Sequence, residues 1–280
     1  MKLSIITINY NNLEGLKRTI ESVINQTWKS FEWIIIDGGS NDGSKDYIEK
    51  LYLYFMSLPN CWNPITFWCS EPDKGIYNAM NKGIVRARGD YMLFLNSGDS
   101  LHDKDVLKKM EKELYGDDVV YGDLRFVSKD KDYVFMYPNK ITTHYLLHRS
   151  LGHPATFIRS CLFNTEGYRE DLKIVSDWYA FIKWFRHGKT FRHVRTVVSD
   201  FDANGVSSTN MEKIEEERKI VFDDLFGKDN FLWIEESIKM HMLEEKFMHP
   251  VFLMTDRIVQ NGGSRKAFLA FFLKFINKTF

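Results

Sequence analysis

Cysteine is scarce in this chain, with three residues among 280. Cys61, Cys69 and Cys161 lack the close pairing in sequence that zinc motifs use, which excludes a metal site built on thiolates. An odd number of thiols also leaves one without a disulfide partner. The cysteine content is therefore typical of a protein in a reducing compartment, and we expect a cytoplasmic setting.

Net charge and long apolar runs are lacking as well. The 38 basic and 38 acidic residues cancel, which argues against a nucleic-acid-binding protein, because phosphate binding requires a net basic face. No stretch of about 20 apolar residues is present, so we expect no membrane-spanning helix. The asparagines from Asn9 onward come too early for a signal peptide. With 44% hydrophobic and 27% charged residues, disorder, collagen and a coiled coil are excluded as descriptions of the whole chain.

The first half of the sequence contains a regular alternation of strand and helix patterns. Apolar runs at residues 3–8, 31–36, 65–69 and 91–95 predict strands, and apolar residues recur at helical spacing between them. This βαβαβαβ order predicts an α/β fold with a doubly wound, mainly parallel sheet. In such sheets, ligands bind at the carboxyl ends of the strands.

The pattern changes after residue 121, and we predict three parts: residues 1–125, residues 126–210 as the second half of the same domain, and a helical extension over residues 211–280. A charge run at residues 212–217 indicates a solvated helix face. In residues 264–280, lysines and phenylalanines fall on opposite sides of a helix. This segment can lie in a membrane interface, dock on the protein's own core or form a dimer contact.

Asp37 is the first candidate functional residue, because it ends the second strand and precedes a glycine-rich turn at residues 38–43. A phosphate-binding P-loop is excluded, since Ser44-Lys45 reverses the order that this motif requires. A dinucleotide fingerprint is excluded too, because the first strand ends at residues 9–12 without a glycine. A ligand-binding loop and a plain tight turn both remain open.

Two further carboxylates stand at positions of interest. Asp99 follows the fourth strand and is a hard oxygen ligand suited to Mg²⁺ or Mn²⁺, or it helps a turn. Asp177 begins an aromatic-rich helix, where it is a candidate general base or a residue that complements the helix dipole. Neither pattern decides between its alternatives alone.

Together, these stretches resemble the family 2 glycosyltransferases, which have the GT-A fold. The motifs that carry the resemblance run in order over roughly residues 3–210: SIITINYNN, SVINQTW, FEWIIIDGGSNDGS, SEPDKGIYNAMNKGI, ARGDYMLFLNSGD and, more loosely, GYREDLKIVSDWYAFIKW. The match is most similar to members with a Ser-Glu-Pro-Asp-Lys-Gly-Ile stretch, which build bacterial surface polysaccharides.

The resemblance implies that residues 1–125 bind a nucleotide-sugar and residues 126–210 bind the acceptor. The implied donor-binding residues are Ile8, Tyr10, Asp37, Asp73, Lys74, Asn78 and Asn96. Tyr10 would stack on the base or contact its edge. The family usually has two adjacent acidic residues after the second strand, and the second one reads uracil. Here Gly38 occupies that second position.

The chemistry implied by the resemblance rests on four other residues. Asp99 would bind Mn²⁺ or Mg²⁺ and Asp177 would act as the catalytic base. His153 and Trp178 would lie on the acceptor side.

The implied function is inverting transfer of a hexosyl or acetylhexosaminyl group from a nucleotide-diphosphate donor, with a UDP-sugar favoured. The acceptor would be a hydroxyl of a saccharide or a lipid-linked molecule in bacterial cell-surface polysaccharide synthesis. Peripheral contact with the inner face of the plasma membrane through residues 264–280 is one interpretation of that segment. The alternative is a catalytically silent nucleotide-sugar-binding module in an assembly complex. A nucleotidyltransferase would need a glycine-rich basic loop that residues 9–12 do not supply.

Overall fold

The computed structural model describes residues 3–58, 62–128, 132–202 and 210–227. Residues up to Val221 belong to one compact unit. The predicted amphipathic segment 264–280 lies outside the described residues. None of the described helices combines the length and the apolar character needed to cross a bilayer.

The described residues form nine strands and seven helices. The strands are β1 (Leu3–Asn9), β2 (Phe31–Asp37), β3 (Ile65–Ser70), β4 (Tyr91–Phe94), β5 (Ser100–Leu101), β6 (Val119–Val127), β7 (Asp132–Phe135), β8 (Thr156–Arg159) and β9 (Phe191–Asp202). The helices are α1 (Leu13–Ile24), α2 (Ser44–Ser57), α3 (Ile76–Arg86), α4 (Val106–Glu111), α5 (Thr143–His148), α6 (Ser176–Arg186) and α7 (Met211–Phe226).

All nine strands join one sheet in the order β3-β2-β1-β4-β8-β6-β9-β5, with β7 paired to β6. The first four strands in this order are parallel. Strand β8 runs antiparallel to both β4 and β6, whereas β6 and β9 are parallel. The predicted parallel half is confirmed, and each of its four strands lies within one residue of its predicted bounds.

Burial on both faces explains the apolar runs of the central strands. Strands β1, β2 and β4 are buried along their whole length, as in sheets that helices cover on both sides. Helix α3 approaches β1 so closely that a Cβ at Gly83 would lie 2.5 Å from Cγ2 of Ile6. Polar residues lie at the edge of this core, because Asn9 ends β1 and residues 96–99 follow β4.

Glu32 is a charged residue of β2 whose side chain is also buried. Its Oε1 accepts hydrogen bonds from the Ser4 hydroxyl at 2.6 Å and from the Arg88 amide at 2.5 Å. The Ser4 hydroxyl also accepts a hydrogen bond from the Gly89 amide. Because a buried carboxylate requires such partners, Glu32 fixes the turn that leads from α3 into β4.

Candidate active site

A cleft of about 910 Å³ lies at the carboxyl ends of β1 and β4. Eight of the sequence-predicted site residues line it: Ile8, Tyr10, Asp73, Asn96, Asp99, His153, Asp177 and Trp178. Three others, Asp37, Lys74 and Asn78, are not in its lining. The topology thus brings donor-side, metal-side and acceptor-side candidates to one cleft.

The turn after β4 carries the candidate metal ligand and is held by helix α1. The Thr19 hydroxyl accepts a hydrogen bond from the Gly98 amide at 3.1 Å and donates to the Asp99 carbonyl at 2.6 Å. Gly98 has a φ of +111°, which favours glycine. These contacts place the Asp99 side chain inward, where one of its oxygens accepts a hydrogen bond from the Asp202 amide at the end of β9.

The environment of Asp99 favours its uncharged form. Asp99 is 5% exposed, and burial raises its pKa to about 7. The Asp202 carboxylate acts in the same direction, although the backbone amides of Asp202 and Asn96 oppose it. A nearby cation would favour the charged form instead.

The oxygens beside Asp99 are suited to a divalent cation. Oδ1 of Asn96 is buried without a hydrogen-bond partner. Asp202 adds a second carboxylate at the cleft wall. Carboxylate and amide oxygens are the ligands that Mg²⁺ prefers, and Mg²⁺ is often completed by substrate phosphates. Within the described parts of the chain, no group of three or more His, Cys, Asp and Glu side chains is placed to hold a metal.

Asp177 stands in the first turn of α6, with its side chain 19% exposed. Its Oδ1 lies 2.7 Å from the Tyr77 hydroxyl, which lies 2.7 Å from the Ile174 carbonyl as well. Tyr77 belongs to α3 and is buried, so its ring position is fixed by the core. The carboxylate of Asp177 belongs to the cleft lining, and a carboxylate in this position can accept a proton.

The buried His153 ring lies next to Asp177. Its Nε2 is 2.8 Å from the Tyr168 hydroxyl, and its Nδ1 is 3.8 Å from Oδ2 of Asp177. Burial lowers the pKa of His153, with the Asp177 charge partly offsetting this, so the ring is neutral near pH 7. His153 lies beside the candidate base, and its acceptor-side role stays a prediction.

Trp178 is buried and packs beneath an arginine from α7. Its indole N–H donates to the Leu146 carbonyl, and the Arg218 guanidinium lies 4.7 Å from the centre of its ring. The same guanidinium donates to the Leu147 and His148 carbonyls at the end of α5. A sugar that stacked on Trp178 at this face would have to displace Arg218, so the predicted acceptor contact remains untested.

Asp37 is fully buried and is not part of the cleft lining. Its carboxylate accepts hydrogen bonds from the side chains of Asn9, Ser40 and Ser70 and from the Ser40 amide, at 2.6 to 3.0 Å. Burial raises the pKa of Asp37, but these donors outweigh it and hold the pKa below its usual value. In this structure Asp37 ties together the ends of β1, β2 and β3, and any direct contact with a nucleotide stays a prediction.

Asn78 and Lys74 also lie away from the cleft lining. The Asn78 amide donates to Glu170 at 2.8 Å, and its carbonyl oxygen accepts from the Lys74 amide. Asn81 donates to the same Glu170. The two asparagines therefore brace the loop that precedes α6, whereas the Lys74 side chain is exposed.

A family model described as glycosyl transferase family 2 matches residues 4–186. The chain belongs to this family. It is 31% identical over 217 residues to a PGL/p-HBAD biosynthesis glycosyltransferase of Mycobacterium bovis, covering 75% of this chain and 80% of the relative. The predicted family is thereby confirmed.

Two solved structures show the fold. Residues 1–349 of Staphylococcus aureus TarS, in complex with UDP-GlcNAc, superpose with a TM-score of 0.61 at 17% identity, covering 88% of this chain and 73% of that chain. The mannosyltransferase PcManGT of Pyrobaculum calidifontis, in complex with GDP-Man and Mn²⁺, gives 0.57 at 12% identity, covering 96% and 82%. The predicted GT-A fold is confirmed.

Two residues that line the cleft of this glycosyltransferase, Asp202 and Tyr77, were not predicted from the sequence. Asp202 could have been found, since it is a carboxylate at a strand end. Tyr77 gave no signal beyond an apolar helix position. The prediction that residues 212–217 form a solvated face is wrong at Glu217, which is 1% exposed.

Glu217 connects α7 to the segment before Asp177, although it lies beyond the family match. Its two carboxylate oxygens accept hydrogen bonds from the backbone amides of Lys173, Ile174 and Val175, at 2.7, 2.8 and 3.2 Å. Three N–H groups converge on one carboxylate just before α6 begins. A residue of α7 thus helps to fix the position of the candidate base.

Proposed function

We propose that this family 2 glycosyltransferase moves a sugar, with inversion, from a UDP-linked donor to a hydroxyl of a saccharide or lipid-linked acceptor. We place the reaction in bacterial cell-surface polysaccharide synthesis, on the strength of the Ser-Glu-Pro-Asp-Lys-Gly-Ile stretch at residues 70–76. The observation that carries the proposal is the position of Asp177. It faces the same cleft as the Asn96–Asp99 turn, with Tyr77 holding one of its oxygens.

The proton chemistry follows from that position. An acceptor hydroxyl is a weak nucleophile and needs a base within hydrogen-bond reach. As the hydroxyl oxygen forms its bond to the anomeric carbon, Asp177 takes the proton. The bond from the anomeric carbon to the diphosphate breaks on the opposite side, and the nucleoside diphosphate leaves with the electron pair. The contact of the Tyr77 hydroxyl with Oδ1 supports this role, because it fixes one oxygen of the carboxylate and leaves Oδ2 to accept the proton.

We propose that Asp99 holds a divalent cation, Mn²⁺ or Mg²⁺, with Asn96 and Asp202 as further oxygen donors. The unpartnered Oδ1 of Asn96 supports this assignment. When bound, such an ion would neutralise charge on the leaving diphosphate. Oxygens of the diphosphate would complete the ligand set that these residues begin.

The test is the substitution Asp177→Asn, which keeps the shape of the side chain and removes the base. We expect the rate of transfer to fall by roughly 10²–10⁴-fold. The rise in melting temperature that UDP-sugars cause in the presence of Mn²⁺ should persist, because a ligand that binds the native state raises that temperature. Sugar transfer would be followed as UDP release from a panel of UDP-hexoses and UDP-acetylhexosamines.

Asp171→Asn is the matched control, because Asp171 is an exposed carboxylate of the preceding loop, paired with Arg169 at 2.6 Å. Its turnover should equal that of the unmodified protein. Normal turnover of Asp177→Asn would contradict the assigned base. Donor binding without turnover in the unmodified protein would favour the silent module instead.

Peripheral attachment to a membrane through residues 264–280 stays a proposal that the described residues do not test. Cosedimentation with anionic vesicles, with and without that segment, would decide it. Equal sedimentation of the two proteins would exclude the segment as an anchor.

A further inference from the structure

The Asp73 side chain packs directly against the backbone of Gly38, next to the cleft that Asp73 lines. A Cβ built on Gly38 would lie 2.4 Å from Oδ2 of Asp73 and 3.2 Å from Cδ2 of Tyr10. A Cβ on Gly39 would lie 3.1 Å from the Pro72 nitrogen, so the loop crosses directly over this turn. The carboxylate of Asp73 therefore occupies the position that a side chain at residue 38 would take.

The two oxygens of Asp73 have different surroundings. Oδ1 accepts a hydrogen bond from the Gly75 amide at 2.8 Å, which closes the turn before α3. Among the described residues, no N–H or O–H group donates a hydrogen bond to Oδ2. The Oδ1 contact thus holds the carboxylate in place, and Oδ2 is available to a ligand in the cleft that Asp73 lines.

The Tyr10 ring lies beside this oxygen and is 66% exposed. An exposed aromatic ring next to a fixed hydrogen-bond acceptor suits a flat ligand ring that carries an N–H at its edge. A carboxylate repels the diphosphate of a nucleotide, so Asp73 is suited to an uncharged part of the donor. Ile8 also lines the cleft and adds apolar surface.

We propose that Asp73 reads the nucleobase of the donor by accepting a ring N–H, and that Gly38 is required because its lack of a side chain admits Asp73. This inference rests on the proposed function and deepens it. Uracil and guanine both present a ring N–H next to a carbonyl. Cytosine and adenine present a lone pair at the corresponding ring nitrogen, which a carboxylate repels. Asp73 thereby selects the base class of the donor.

The decisive substitution is Asp73→Asn, with binding of UDP, GDP, CDP and ADP measured by calorimetry in the presence of Mn²⁺. We expect the unmodified protein to bind UDP or GDP at least about tenfold more tightly than CDP and ADP, the size of one charge-assisted hydrogen bond. In the variant, the amide oxygen keeps the Gly75 contact and the amide nitrogen faces the base. A donor then replaces an acceptor, so the preference should reverse toward CDP or ADP.

Glu71→Gln is the matched control, because it removes an exposed carboxylate of the same loop that pairs with Lys82 at 2.7 Å. Its base preference should be unchanged. A second test moves the carboxylate: Asp73→Ala should lose the preference, and Gly38→Asp combined with Asp73→Ala should restore it, because the new side chain enters the vacated space.

Each outcome separates this inference from the function on which it rests. If the unmodified protein prefers UDP or GDP and Asp73→Asn keeps that preference, base reading by Asp73 is wrong and the transferase stands. An equal loss of affinity for all four nucleotides would assign Asp73 to the ribose and overturn the inference. A double variant as indifferent as Asp73→Ala would also overturn it. Failure of the unmodified protein to bind any nucleotide would refute both.

Discussion

Glu217 offers the sharpest test of how α7 supports the candidate active site. The substitution Glu217→Ala removes the acceptor of three backbone N–H groups, those of Lys173, Ile174 and Val175. The Ile174 carbonyl in the same segment lies 2.7 Å from the Tyr77 hydroxyl. Loss of Glu217 should therefore affect both the stability of the fold and the placement of Asp177.

The magnitude follows from the number and burial of the donors. Leaving one buried donor unsatisfied costs about 1–3 kcal/mol. Lys173 is exposed, so water can satisfy its amide, and the other two losses come to about 3 kcal/mol in free energy of unfolding. For 150–250 residues, 1 kcal/mol corresponds to a shift in melting temperature of about 2–4 °C, which gives a fall of roughly 6–12 °C.

The assay is thermal unfolding together with turnover, and Glu216→Ala is the matched control. Glu216 is the preceding residue of α7, is exposed, and pairs with Lys213 at 3.1 Å. We expect the control to melt within about 1 °C of the unmodified protein, since exposed pairs contribute little. A Glu217→Ala variant that melts with the control and turns over normally would refute the reasoning.

Other substitutions test individual contacts of the site. Tyr77→Phe removes the hydroxyl that holds Asp177, and kcat should fall about tenfold with nucleotide affinity unchanged; a variant with unaltered kcat would show that this contact is dispensable. The folded-state pKa of Asp37 is depressed, so the stability that its ionised form adds is present above the unfolded pKa and is lost as pH falls through the folded pKa. Asp37→Asn should therefore lower the urea midpoint most at pH 7 and progressively less below about pH 4, and a pH-independent difference would contradict the hydrogen-bond account. UDP and Mn²⁺ should each bind weakly alone and tightly together, as measured by calorimetry, whereas equally tight binding of UDP without the metal would contradict an ion at Asp99.

The parallel half of the fold could be predicted from the sequence because its signals are local. An apolar run indicates a strand buried on both faces, and a polar residue that follows marks the edge where ligands bind. Asp99 was found in this way, whereas the roles of Tyr10 and Asp177 followed from the family resemblance. All three line the cleft.

What could not be predicted depends on contacts between residues distant in sequence. Asp37 stands at a strand end, but whether its carboxylate faces the cleft or the core depends on Ser70, which is 33 residues away. In the sequence, Glu217 belongs to a charge run that predicts a solvated helix face. Its burial depends on hydrogen bonds from the backbone amides of residues 173–175, which are more than 40 positions away. The close approach of Asp73 to Gly38 is equally invisible in sequence, because it depends on how two loops cross.

The charges of the cleft connect the metal proposal to the donor proposal. Four carboxylates, those of Asp73, Asp99, Asp177 and Asp202, lie in its lining, and Arg218 is the one arginine or lysine among the described lining residues. A nucleoside diphosphate that entered such a cleft alone would be repelled by those carboxylates that are ionised, although the Arg18 guanidinium partly neutralises Asp202, with which it pairs at 2.9 Å. A divalent cation reverses this, because it is attracted both to Asp99 and to the diphosphate oxygens. If both proposals hold, ion and nucleotide would depend on each other for binding, and Asp73 would contact the base while the ion at Asp99 holds the diphosphate.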